Sequence, residues 1–179
     1  MTRWPGITLA FLWGFAEGTL VFVLPDVPLS LAAMCRARRS LVHIAAIVAG
    51  ALLAGAVMFL WAARSPAARD AVAHVPLVRP AMFERAASDY RELGVWAPAK
   101  GPLRGIPYKV YAVEAPEHSG LLAFLLVTIP ARIWRLVAVW LIFAAAGLIL
   151  RNLGRLSLAP GLHTFCWVVV YLVYWAKVK

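Results

Sequence analysis

The stretch from Leu41 to Ala63 contains no Asp, Glu, Lys or Arg, and this limits what the chain can fold into more than any other feature. Its length matches the roughly 20 apolar residues that an α-helix needs to cross the hydrocarbon core of a bilayer. Trp61 and Arg64 follow at its end as interface anchors. The rest of the chain has the same character, since 63% of its 179 residues are hydrophobic and 15% are charged. Soluble domains have about half and about a quarter. The chain therefore reads as an all-α integral membrane protein, long enough for one domain of about four to six membrane segments.

Lys and Arg number 18 against eight acidic residues, a formal charge of +10. In a membrane protein that excess belongs at anionic headgroups. Nucleic acid is not expected as a partner, because no polar basic run is interleaved with aromatics. Cys35 and Cys166 fall in different segments without CxxC or Cys/His spacing, and read as unpaired. His43, His74, His118 and His163 lack ligand spacing, so neither a metal nor another cofactor is expected. Arg3 and the apolar stretch after it imitate a signal peptide, but Glu17 interrupts the stretch and no A-x-A site follows. The segment is read as retained.

Ile7 to Leu24 is apolar apart from Glu17 and runs into Pro25-Asp26-Val27-Pro28, two prolines that do not suit one regular helix. The apolar piece Leu29 to Cys35 is too short to span and stops at Arg36-Ala37-Arg38-Arg39, the end read as cytoplasmic. Together they predict a hairpin over about 7–35 that enters the membrane and returns, followed by the spanning helix 41–63. Residues 65–92 mix charges with scattered Ala, Val, Leu and Phe, which predicts a surface amphipathic helix. Between 93 and 116 come Gly94, Pro98, Gly101, Pro102, Gly105, Pro107 and Pro116, so a second hairpin is predicted there. Pro130 is expected to break the apolar segment after Gly120, with Arg132 and Arg135 opening the next helix. The last helices are placed at about 119–150 and 162–177. Trp4, Trp96, Trp134, Trp167, Tyr171 and Trp175 read as interface belts. Gly50 and Gly55 read as close-packing positions.

Two halves share one plan: a Pro-interrupted apolar segment, a basic cluster, then an uninterrupted helix. The first is Glu17/Pro25-Asp26, Arg36-Arg38-Arg39 and Leu41 to Ala63; the second is Arg104/Pro107/Lys109, Arg132 with Arg135, and Leu136 to Leu150. Paired broken segments point to a transporter built from repeats, with its site where the broken helices meet.

Phe15-Ala16-Glu17 with Pro25-Asp26-Val27, Gly50-Ala-Leu-Leu-Ala-Gly55 before Phe59, Gly105-Ile106-Pro107-Tyr108-Lys109-Val110-Tyr111, and Arg132-Ile-Trp-Arg135 occur in that order. In these motifs, over about Phe11 to Leu150, the chain resembles the DedA family of the SNARE-associated Golgi protein or VTT-domain superfamily, and most its YqaA-like branch. The resemblance implies a single domain with two opposed re-entrant hairpins meeting near the bilayer middle, acidic residues on the first and basic on the second. It implies movement of a phospholipid or of undecaprenyl phosphate across a bacterial inner membrane. The chain departs from the family pattern at Glu114-Ala115-Pro116-Glu117, where Ala-Ala-Gly is usual, and at Val110, where related members carry Arg.

A carboxylate at the bilayer centre costs about 2.5 to 3.5 kcal/mol on insertion scales, so Glu17 needs a reason to be there. Glu17 and Asp26 are assigned to proton binding and coupling, with structural pairing to the other hairpin as the alternative. Arg104, Lys109, Arg132 and Arg135 are assigned to a lipid phosphate, which arginine can hold with two parallel hydrogen bonds, and to neutralising Glu17 and Asp26 when no substrate is bound. Pro25, Pro28, Gly105 and Pro107 are expected to break helices and free backbone groups at the site. No Ser/His/Asp or Cys/His set, P-loop or dinucleotide fingerprint suggests an enzyme. The expected partners are the membrane and a polyprenyl phosphate or phospholipid, with a homodimer a compatible assembly. The competing readings are a membrane scaffold or assembly factor, and a proton-coupled exporter of small cations.

Overall fold

The computed structural model describes residues 4–21 and 24–178, with backbone alone for 4, 5, 174, 175, 177 and 178. The belt positions Trp4 and Trp175, Lys177, Lys179 and the Phe22-Val23 part of the first apolar stretch therefore lie outside what can be described in side-chain detail. Every regular element among the described residues is helical. Three helices are long and apolar enough to cross a membrane, Asp26–Ala62, Leu121–Asn152 and Leu156–Val173.

Helix α1 (Trp4–Gly18) ends where Gly18 and Thr19 give way to the Pro25 break. Trp13 ties that break back to the helix by donating from Nε1 to the Leu24 carbonyl at 3.2 Å. Helix α2 (Asp26–Ala62) starts straight after Pro25 and carries one non-helical residue, Arg36, at φ −150° and ψ 62°. Pro28, expected as a second breaker, lies inside the first turn of α2, where a missing N–H leaves no helical bond unmade. The break is therefore on the Leu24 side of Asp26.

The chain reverses at Arg36, as its partners on α7 (Leu121–Asn152) make clear. Coming down 62–37, Phe59 stacks near Phe124 and Ser40 meets Trp140. At the bend, Met34 lies against Gly147 and the Cys35 carbonyl accepts from Arg151. Asp26 then reaches back up to Arg135. Residues 26–35 thus run against 37–62. Helix α1 aligns in parallel with 37–62, because Gly6 faces His43, Gly14 faces Ile47 and Gly18 faces Ala54.

Small residues make this packing close. A Cβ on Gly14 would strike the Ile47 carbonyl, and one on Gly50 the Phe11 carbonyl. Without water to drive association, such backbone proximity is what holds membrane helices together. Gly50→Ala is expected to cost about 1 to 3 kcal/mol through overpacking, read as a lower melting temperature in detergent micelles.

The surface layer consists of α3 (Ala67–Ala73) and α4 (Pro80–Leu93). Helix α4 is amphipathic: Phe83, Ala86 and Tyr90 are buried, whereas Glu84, Arg85 and Arg91 face out. Beneath it lie α5 (Ala97–Arg104) and α6 (Tyr108–Glu114), separated by Gly105-Ile106-Pro107. Gly105 closes α5 at φ +67°, a left-handed conformation that favours glycine. Pro107 is extended and lets α6 begin at once.

The expected break at Pro130 does not occur, and α7 continues through it. Proline's fixed φ suits a helix, so only the bond to the Leu126 carbonyl is missing and the flanking turns are held by packing on α2. A short turn leads to α8 (Ala159–Val178), whose His163 and Trp167 both reach Ser30.

Candidate functional site

Two interrupted segments touch at the centre of the fold. Lys109, 1% exposed, donates from Nζ to the Val21 carbonyl at 2.7 Å. The first turn of α6 thereby satisfies a carbonyl freed where α1 ends. An unpaired carbonyl away from water would cost about as much as a lost hydrogen bond, so the cation and the break stabilise one another.

Helix α7 supplies two arginines, one turn apart, to the two carboxylates flanking that break. Arg132 Nη1 lies 2.7 Å from Glu17 Oε2, and Arg135 Nη1 lies 2.6 Å from Asp26 Oδ2. Glu17, Asp26 and Arg132 are all buried. Arg132 also lies over the Tyr108 ring, with Cζ 4.1 Å from its centroid. Tyr108 is fixed in turn by its hydroxyl, 3.0 Å from Thr128 Oγ1, and by stacking on Phe124. Gly55 has no side chain because the Tyr108 hydroxyl occupies the space a Cβ would need. Tyr108→Phe is expected to cost about 1 kcal/mol, the usual worth of one hydrogen bond, and to loosen Arg132 without removing its carboxylate.

Each arginine pairs through Nη1 alone. Nε and Nη2 of both Arg132 and Arg135 are buried and have no hydrogen-bond partner among the described residues. Those two N–H groups form one edge of the guanidinium plane, the edge that donates to two oxygens of a phosphate or carboxylate side by side. Beside them opens a cavity of about 230 Å³, lined largely by apolar groups and also by Glu17, Lys109, Arg132 and Arg135. Gly105 and Pro107 form part of its wall, and Val170 and Tyr171 of α8 close another side. An anionic head with an apolar body matches these surroundings.

Arg104 lies elsewhere. Its Nη1 pairs with Asp89 Oδ1 at 2.7 Å, and Asp89, fully buried, also accepts from the Tyr111 hydroxyl at 2.7 Å. Lys100 extends the network, 3.7 Å from Asp89 and 2.8 Å from Glu92. Its hydrogen bond holds the Glu92 carboxyl below the ordinary carboxylate range. Burial pushes the Tyr90 phenol well above its usual range. The sequence reading missed Asp89, which looked like one of several charges on a solvated helix. The only signal was its spacing: Phe83, Ala86 and Asp89/Tyr90 share the buried stripe of α4.

Among the described residues Glu114, Glu117 and His118 bring possible ligand atoms within 4.8 Å of one another. Glu114 pairs with Arg69 at 3.1 Å, and the His118 ring stacks on Tyr90 with its Nε2 buried and without a hydrogen-bond partner among the described residues.

Compared with known families, curated proteins and solved structures, the chain matches none of them.

Proposed function

We propose that this chain is a multi-pass membrane transporter of DedA-like type that moves a phosphate-bearing lipid, a polyprenyl phosphate or a phospholipid, across a bacterial inner membrane. In this reading α1 with 26–35, and α5 with α6, are two re-entrant hairpins entering from opposite sides and meeting tip to tip. The supporting observation is that the buried Arg132 and the partly buried Arg135 both keep Nε and Nη2 buried and, among the described residues, unpaired beside the cavity. Uncompensated guanidinium donors in a dry site are costly unless a ligand periodically completes them. A phosphate entering the cavity takes over the Arg132 and Arg135 edges while the tail stays in lipid. Glu17 and Asp26, partly released, take up protons and give them back as the headgroup leaves.

The test is headgroup translocation in proteoliposomes with labelled phospholipid and labelled polyprenyl phosphate. Arg135→Gln is expected to reduce the rate at least tenfold. Because it leaves the buried Asp26 without its counter-ion, it is compared with Asp26→Asn/Arg135→Gln, which removes both charges, and melting curves check that each variant is folded. Wild-type rates from that variant would remove the arginine pair from the mechanism. A second reading, a non-transporting scaffold, draws on the Asp89–Arg104 network, where one buried carboxylate joins α4, α5 and α6 and neither Asp89 nor Arg104 lines the polar cavity. It predicts no lipid movement by the wild-type protein.

A further inference from the structure

A second cavity, of about 290 Å³, lies on the other side of α7, away from the carboxylates and arginines of the polar site. Its floor is Ala33 and Met34, at the bend of α2, with Trp140 beside them, and its rim is Leu141 and Leu148 of α7. Both rim residues are more than half exposed. The groove therefore opens on the apolar outer face of the bundle. Trp140 holds its deep end, donating from Nε1 to Ser40 Oγ at 2.9 Å.

Arg151 stands at the mouth. It caps the Cys35 carbonyl with Nη2 at 3.1 Å, the one hydrogen bond it makes among the described residues, and is otherwise exposed. Arg36, Arg38 and Arg39 at the bend, and Arg155 after α7, are exposed at the same end of the fold. From Arg151 to Leu141 is ten residues of helix, about 15 Å at 1.5 Å per residue. That is half of the roughly 30 Å hydrocarbon core, or the depth of one leaflet.

We infer that this groove is a binding site for an anionic diacyl phospholipid of the surrounding leaflet, one acyl chain lying along Leu148 and Leu141 and the phosphodiester meeting Arg151 and the Arg36–Arg39 cluster. Charge complementarity selects this occupant. A second copy of the chain docked here about a two-fold axis normal to the membrane would bring two arginine clusters to the same depth, face to face. A zwitterionic lipid would fill the groove but leave the cluster uncompensated. The site is separate from the polar cavity, so a lipid here is a resident cofactor of the fold rather than cargo. It would stabilise the bend at Arg36 by occupying the space between the bend and α7.

The experiment is native mass spectrometry of the full chain from neutral micelles equilibrated with phosphatidylglycerol or phosphatidylcholine. The wild type is expected to retain one phosphatidylglycerol in preference to phosphatidylcholine. Arg151→Gln should weaken that retention about fivefold, near the value of one arginine at a membrane surface. Ala145→Phe, which adds bulk at an exposed groove position, should abolish retention of either lipid. Arg79→Gln, on the surface layer, should change nothing. Thermal melts check that each variant is folded, and Arg151→Lys should recover much of the preference should Arg151→Gln unfold. Equal retention of both lipids by the wild type, or unchanged retention in Ala145→Phe, would overturn the proposal. So would a dimer signal that Ala145→Phe removes, since a second copy would then fill the groove.

Discussion

Glu17→Gln is expected to stop lipid movement and also to lower the stability of the protein by about 3 to 5 kcal/mol, the typical consequence of removing one partner of a buried ion pair. Glu17 is the counter-ion of Arg132, and Arg132 is 4% exposed. The substitution leaves a full positive charge buried, with its Nε and Nη2 groups already without partners among the described residues. Loss of transport by this variant alone is therefore ambiguous, because an unstable protein also fails to transport. Glu17→Leu with Arg132→Met removes both charges at once and leaves apolar side chains in their place. Replacing a buried pair by apolar groups of similar size is often neutral or stabilising, so the double variant should melt near the wild type and still not move lipid. Melting curves in micelles together with headgroup translocation separate the two effects. A single variant as stable as the wild type would mean that the pair contributes nothing to the fold.

Asp89→Ala is the second large effect. Asp89 accepts the Tyr111 hydroxyl from α6 and the Arg104 guanidinium from α5, while sitting on α4. Alanine in its place strands the buried Tyr111 hydroxyl and leaves the exposed Arg104 to water. A loss of up to about 3 kcal/mol follows, mostly from the stranded phenol. Confined to this layer, it corresponds to amide exchange on the order of a hundredfold faster in α4 and α5. Exchange in 37–62 and α7 should stay slow. Arg104→Gln should reproduce a smaller version of this pattern with transport retained, because Arg104 does not line the cavity. Loss of transport in a rigid Arg104→Gln protein would return Arg104 to the site that the sequence assigned it.

The central charges were legible because their residue types are expensive in an apolar segment. Glu17 and Asp26 stand out from their neighbours, and only a few cations in the second half could balance them. Which cation meets which carboxylate was not legible. Arg132 with Glu17 and Arg135 with Asp26 depends on the helical phase of α7, and that phase required α7 to run unbroken through Pro130. Proline signals a break in isolated chain, whereas within a packed helix it removes one hydrogen bond. Pro28 misled for a related reason, since its cost vanishes in a first turn. Arg104 misled because a cation next to Gly105 and Pro107 looks like part of the broken segment, and its partner lay on a helix that read as merely wet. The reversal at Arg36 coincides with the basic cluster taken to end the first hairpin. Nothing in composition gave its dihedral angles, which follow from how α7 fits against both arms of α2.

Arg132 and Arg135 are three residues apart on one continuous helix, so their side chains share a face within about 5 to 6 Å, and each grips a different side of the same interruption. A single turn of α7 thus bridges the end of α1 and the start of α2. Neither contact can be released by shifting that turn without straining the other. Occupancy at Glu17 and occupancy at Asp26 should therefore vary together, giving a steeper response to ligand or proton concentration than two independent groups would produce.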